Sequence, residues 1–196
     1  MTAILKVDTI QDTAGNNIIN ESSDTITIGA SGDTIALAGT TVTGITQGIT
    51  MADQWRMTSN ITSSQSPLTN VEQVDNAAQG TLGSAMTQSS GIFTFPETGI
   101  YRVTFSAYGA TSGSDNVGLE LYVSTDGGSN YTNTAQCYDG NDSSHSISMY
   151  CETFVDVTST SNVKVKFDIG SVSAATIYGS TTLNNTVMTF IRLGDT

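Results

Sequence analysis

The stretch GIFTFPETGIYRVTFSA, residues 91–107, decides how the rest of this chain is read. From Gly99 onward it alternates. Tyr101, Val103, Phe105 and Ala107 fall on one face, with polar residues between them, the period-two pattern of a strand that buries one side. Phe93 and Phe95 mark an apolar-aromatic strand just before it. Pro96 and Gly99 punctuate the PETG turn that joins the two, and Gly99 is expected at positive φ.

The same alternation continues downstream. In GLELYVSTDGG, Leu119, Leu121 and Val123 point one way and Glu120 and Tyr122 the other. In HSISMYCETFVDV, Ile147, Met149, Cys151, Val155 and Val157 are inward. In NVKVKFDIG, Val163, Val165, Phe167 and Ile169 are inward, with Lys164, Lys166 and Asp168 outward. TVMTFIRL closes the chain with another strand. The connections TSGSDN, TDGGSN, YDGNDSS and TSTSN are turn chemistry. Long helical patterns are missing. The expected fold is all-β, an antiparallel jelly-roll head over 51–196.

The chain has 196 residues, only 12% of them charged, and a net charge of −12. Basic residues are few and scattered from Lys6 to Arg192, so neither nucleic acid nor an anionic membrane surface is an expected partner. No run approaches the length of a membrane span. The start, MTAILKVDTIQDTAG, carries Lys6 and Asp8 where a signal peptide needs an apolar core. Release by lysis, by a nonclassical route or inside a particle is the expectation.

Residues 1–20 form a polar leader with one apolar cluster, Ile4, Leu5, Val7 and Ile10, expected to dock onto other proteins. Residues 21–50 hold a repeat: Asp24-Thr25-Ile26 recurs as Asp33-Thr34-Ile35, each copy running on to Ile28 or Leu37 and then a glycine. Ile26, Ile28, Ile35, Leu37 and Val42 make one thin apolar stripe, worth ~10 kcal/mol if fully buried. Ordering the segment costs more than that. Three chains around one axis would remove all three stripes from water, so a trimeric β stalk is expected. The repeat lacks the double glycine of the calcium β-roll.

Two resemblances arise on these residues. ILKVDTIQDTAGN followed by DTITIGASGDTI resembles the beginning of tail-fibre and virion-fibre proteins of marine phages, those of cyanobacteria above all. GIFTFPETGIYRVTFSA, with Phe93, Phe95, Pro96, Gly99, Tyr101 and Phe105, resembles the core motif of the globular-head family shared by the complement q component and tumour necrosis factor, and VMTFIRL matches its closing strand. The first resemblance implies a structural virion protein, on the tail or capsid surface, assembled in the host cytoplasm. The second implies a jelly roll that trimerises and binds partners.

Catalytic chemistry has no foothold. His145 is the sole histidine, and GxSxG, HExxH and CxxC are absent. Asp139 and Asp142 could pair as in a polysaccharide depolymerase, but they share one loop, which is poor preorganisation. No enzyme, no cofactor and no metal are therefore expected. YDGND and TDGGSN carry oxygen ligands that suit calcium, yet these are also ordinary turn sequences.

Alternate connections of an antiparallel head lie at opposite ends. With the C-terminus returned to the stalk end, as the resemblance to the head family implies, parity places 109–116, 139–146 and 170–182 at the end far from the stalk. Ser112, Asp115, Asn116, Asp139, Asn141, Asp142, His145 and Tyr178 are the candidate receptor-binding residues there, suited to a host glycan or protein. Tyr122, Tyr150 and Phe154, outward by parity, are candidates for a homotrimer interface together with Ile26, Ile28, Ile35 and Leu37. Cys137 and Cys151 would oppose each other if 137–151 were a hairpin, which leaves open a disulfide or two buried thiols. Four functions compete: a receptor-binding virion fibre, a capsid decoration with no host ligand, a depolymerase, and a secreted recognition protein with a complement-like head.

Overall fold

The computed structural model describes residues 48–196, within a compact unit that spans Thr46–Thr196. The leader 1–20 and nearly all of the repeat 21–50, with Ile4, Leu5, Val7, Ile10, Ile26, Ile28, Ile35 and Leu37, lie outside the described residues.

Eleven strands follow one another: β1 (Ala52–Met57), β2 (Val71–Gln73), β3 (Thr87–Ser89), β4 (Ile92–Thr94), β5 (Gly99–Thr111), β6 (Asp115–Ser124), β7 (Thr132–Asn141), β8 (Ser146–Val157), β9 (Lys164–Gly170), β10 (Ala175–Ile177) and β11 (Val187–Gly194). They form two antiparallel sheets. One is six-stranded, in the order β2-β1-β11-β5-β8, with β10 pairing β5 beyond the end of β11. The other is five-stranded, in the order β3-β4-β9-β6-β7. The chain crosses from sheet to sheet at most connections, which makes the sandwich a jelly roll.

The strand faces follow the alternation of the sequence. Tyr101, Val103, Phe105 and Ala107 of β5 are buried, as are Leu119 and Leu121 of β6, Ile147, Met149, Cys151, Val155 and Val157 of β8, and Val165, Phe167 and Ile169 of β9. Between the sheets the rings interlock. Phe93 meets Trp55 at 5.3 Å and Phe167 at 5.4 Å, both edge to face, and Phe105 packs on Phe167 at 5.1 Å. Such geometry adds about 0.5–1.5 kcal/mol per pair beyond burial itself.

The PETG turn joins β4 to β5 as expected, and it carries the chain across the sandwich because the two strands lie in different sheets. Gly99 does take positive φ, +144°, and a Cβ there would lie 2.5 Å from the Gly194 carbonyl oxygen. Asp168, outward on its strand, is nevertheless buried. Segment 65–68 pairs with the edge of β9 that β4 leaves free, and the Ser66 hydroxyl donates to Asp168 Oδ2 at 2.6 Å. Finally, 137–151 is not a ladder within one sheet. β7 and β8 belong to opposite sheets, so Cys137 and Cys151 meet across the sandwich edge as free thiols. Burial first, and the neighbouring Cys137 second, push the Cys151 thiol up to about 12.

Candidate functional site

The far end of the head is built by three connections: 112–114 between β5 and β6, 142–145 between β7 and β8, and 171–174 between β9 and β10. They are laced together. Thr111 N–H donates to the His145 carbonyl at 2.8 Å, and its hydroxyl to the Ser143 carbonyl at 2.7 Å. Ser112 N–H donates to the Ala174 carbonyl at 2.7 Å. Asp115 fastens the third loop. Its Oδ2 accepts the N–H groups of Ala174 (2.7 Å) and Ser173 (3.0 Å), and its Oδ1 accepts from Asn116 N–H and the Ser173 hydroxyl. Burial would raise the Asp115 pKa, but the hydrogen bonds from Ser173, Ala174 and Asn116 outweigh it and hold the carboxyl below its ordinary value.

The structure thus gathers the sequence candidates at one end but divides them by role. Ser112 and Asp115 are committed to holding the loops. Asp139 and Asn141 belong to β7 and Asn116 to β6, so they are strand residues, not loop residues. Asp139 is half-buried and receives Ser148 N–H at 3.4 Å. Asn116, Asp142 and His145 are exposed. Tyr178 is half-buried and packs on Tyr108, ring centroids 5.2 Å apart. Tyr108 is a residue that sequence reasoning missed. Its outward parity on β5 was readable, but β10, which brings Tyr178 beside it, was not.

A second surface is the outward face of the six-stranded sheet. Phe154 is 66% exposed, Tyr150 51% and Tyr108 43%. Cross-strand pairing sets Phe154 beside Arg102, Glu152 beside Thr104 and Tyr150 beside Ser106. Half-buried Ile100, Val187 and Ile191 share that face by register. Arg102 donates to Glu152 Oε2 through Nε at 2.8 Å and to the Tyr150 hydroxyl at 3.0 Å. Tyr122 does not belong here. It lies on β6, in the other sheet, and points outward on the opposite side of the molecule. Parity tells in from out, but not which sheet is meant.

Tyr122 instead joins a network on the five-stranded sheet. Its hydroxyl donates to Glu120 Oε2 at 2.6 Å, and Tyr138 donates to Glu120 Oε1 at 2.5 Å. Lys166 Nζ stands 4.4 Å from the Tyr122 ring centroid and donates to Asp168 Oδ2 at 2.7 Å. These residues carried no motif that would have singled them out.

TDGGSN, at the opposite end of the head, is closed by its own aspartate. Asp126 accepts from the side chain and the N–H of Asn130 and from the Ser124 hydroxyl, which pull its pKa down to about 2. Among the described residues, no group of three or more His, Cys, Asp or Glu side chains is placed to hold a metal ion. No helix there is long and apolar enough to cross a membrane.

With this geometry the head has the fold of the tumour necrosis factor class, an all-β jelly roll of two antiparallel sheets. Eiger TNF from S. frugiperda superposes with a TM-score of 0.56 at 11% identity, over 76% of this chain and 96% of that one. Murine APRIL at pH 5.0 superposes with a TM-score of 0.52 at 12% identity, over 73% and 98%. At such identities the likeness is one of fold. No family model and no curated protein matches the sequence.

Proposed function

We propose that the protein is a homotrimeric virion fibre whose head binds a host cell surface without catalysis. The observation that carries the trimer is the exposed aromatic stripe Tyr108, Tyr150 and Phe154 on one sheet face. A solvated protein loses little by exposing single apolar residues, but three exposed rings on one sheet face, with the Arg102–Glu152 pair between Tyr150 and Phe154, suit a subunit contact. The head motif around Gly99 supports the same reading, because the family it resembles trimerises. The phage assignment rests on the likeness of ILKVDTIQDTAGN and the following repeat to virion-fibre proteins. In this reading 1–20 docks onto other virion proteins, 21–50 is the stalk, and the particle surface is where the protein works.

Host contact is assigned to the far end, now narrowed to Asn116, Asp142, His145 and Tyr178. Polar groups there bond hydroxyls or amides, while apolar area is small, so single-head affinity is weak. Three heads on one axis and many fibres on one particle raise it through effective concentration. The test replaces Asn116, Asp142 and His145 together with alanine in the particle. Adsorption should fall at least about tenfold while the melting temperature of the isolated protein stays unchanged. Particles that adsorb normally would move the receptor role elsewhere, and the second reading, a capsid decoration with no host ligand, would replace the first.

A further inference from the structure

We propose that the outward face of the five-stranded sheet, between β6 and β7, is a shallow binding site for a neutral saccharide, separate from the far-end loops. Tyr138, Tyr122 and Glu120 form its floor, and Asn133 and Gln136 its polar edge.

The first observation is a shelf cut for a ring. Gly118 sits in the middle of β6 with no positive φ, so its backbone does not demand glycine. The Tyr138 ring does, because a Cβ on Gly118 would lie 2.3 Å from Tyr138 Cε1. Gly170, its cross-strand neighbour on β9, lies instead under Glu120, whose Oε1 would be 3.4 Å from a Cβ there. Tyr138 covers Gly118 and is still 46% exposed. A solvent-facing ring that is already fixed has little rotamer freedom left to lose when a ligand arrives.

The second is how the rings are held. Both hydroxyls donate to Glu120, whose pKa the Tyr122 hydroxyl first, and then Tyr138, keep below the usual carboxylate range. The carboxylate is charged at neutral pH, and the Tyr138 oxygen keeps a lone pair for an incoming donor. The third is relief. The β6–β7 register slips between Leu121 and Tyr122, and beside the slip the edge strand β7 carries a shallow open depression lined by Asn133, Thr134, Ala135 and Gln136. Asn133 and Gln136 face outward beside Tyr122 and Glu120, and Asn133 Nδ2 donates to Gln136 Oε1 at 3.0 Å. Bulges often re-aim side chains at functional sites.

A pyranose presents an apolar C–H face and a rim of hydroxyls. The fixed ring suits the first, and the carboxylate and amides suit the second. The charge selects among sugars. The cation beside the floor, Lys166 at 4.4 Å from the Tyr122 ring centroid, is paired with Asp168 at 2.7 Å, so Glu120 keeps the floor anionic in a chain of net charge −12, which disfavours sulfated or carboxylated glycans and leaves neutral ones.

Saturation-transfer NMR on the full chain tests this with the methyl glycosides of glucose, galactose, mannose and N-acetylglucosamine. For a site this shallow a Kd on the order of 1 mM is expected. Transfer to at least one glycoside should appear, strongest on protons of the apolar face. Tyr138→Ala should weaken it at least about tenfold, and Tyr138→Phe, which keeps the ring, should weaken it less. Gln136→Ala, at an exposed position, should also weaken it, and decides the question should Tyr138→Ala misfold. Absence of transfer to every glycoside from folded wild-type protein overturns the proposal, as does transfer that survives both Tyr138→Ala and Gln136→Ala. Transfer lost on replacing Asp142 and His145, but kept in those two variants, places the sugar at the far end and overturns it too.

Discussion

At the scale of single residues, two positions have backbone or burial duties that no substitute can perform. Gly99 combines φ +144° with a neighbouring carbonyl that leaves no room for a Cβ. Gly99→Val should cost about 1–3 kcal/mol, read as a lowered urea midpoint with unchanged slope. An unchanged midpoint would mean that the backbone relaxes at no cost. Asp53 is 1% exposed and collects donors from its own strand, Trp55 Nε1, and from distant segments, Gln73 Nε2, the Thr81 hydroxyl and Met86 N–H. It pins 73–86, a stretch with little regular structure, to β1. Asp53→Ala strands those donors, so a loss of about 3 kcal/mol is expected by the same measurement. A loss below about 1 kcal/mol would show that other partners replace the carboxylate.

Between elements, carboxylates act as clasps. Asp115 ties the start of β6 to the connection before β10, and Asp126 closes the β6–β7 connection at the other end. Both have folded-state pKa values below the ordinary one, Asp126 at about 2. A depressed carboxylate binds protons more tightly in the unfolded chain. Its stabilisation is therefore complete above the unfolded value of about 3.9 and is lost as pH falls through the folded value. The melting temperature should hold above about pH 5 and decline from about pH 4 towards pH 2. Asp115→Asn should cost about 1–2 kcal/mol at pH 7 and flatten the acid decline. An acid limb identical to that of wild type would remove Asp115 from this role.

Over the whole molecule, charge and exposed rings point the same way. Every described cation is occupied by its own chain: Arg56 with Glu72 and Asp75, Arg102 with Glu152, Lys166 with Asp168, Arg192 with Glu97 and Asp195, and Lys164 with the Thr94 hydroxyl and the Thr160 carbonyl. Among the described residues the exposed Tyr and Phe rings are Tyr138 on one sheet and Tyr108, Tyr150 and Phe154 together on the outward face of the six-stranded sheet. If that face is a trimer contact, Phe154→Asp puts an unpaired charge into it. Light scattering should give three chains per particle for wild type and one for the variant at micromolar concentration. A wild-type mass of one chain, or a variant that stays trimeric, would exclude this face as the contact.

What could be read without a structure is whatever depends on neighbours in the chain. The long strands β5, β6, β8, β9 and β11, most of the inward set on each and the turn at Gly99 follow from period two, whereas short β2, β3 and β10 carry too few residues to show a period. The tertiary structure alone decided which sheet a strand joins, because pairing partners are set by contacts between residues far apart in sequence. Tyr122 and Tyr150 are both outward, yet on opposite sides of the sandwich. Cys137 and Cys151 meet across two sheets and not along one ladder. Asp115 turned from a candidate ligand into a clasp once Ser173 and Ala174 arrived beside it. The Tyr138 shelf was invisible for the same reason: a glycine in a strand reveals what lies over it only when the neighbouring strand is in place.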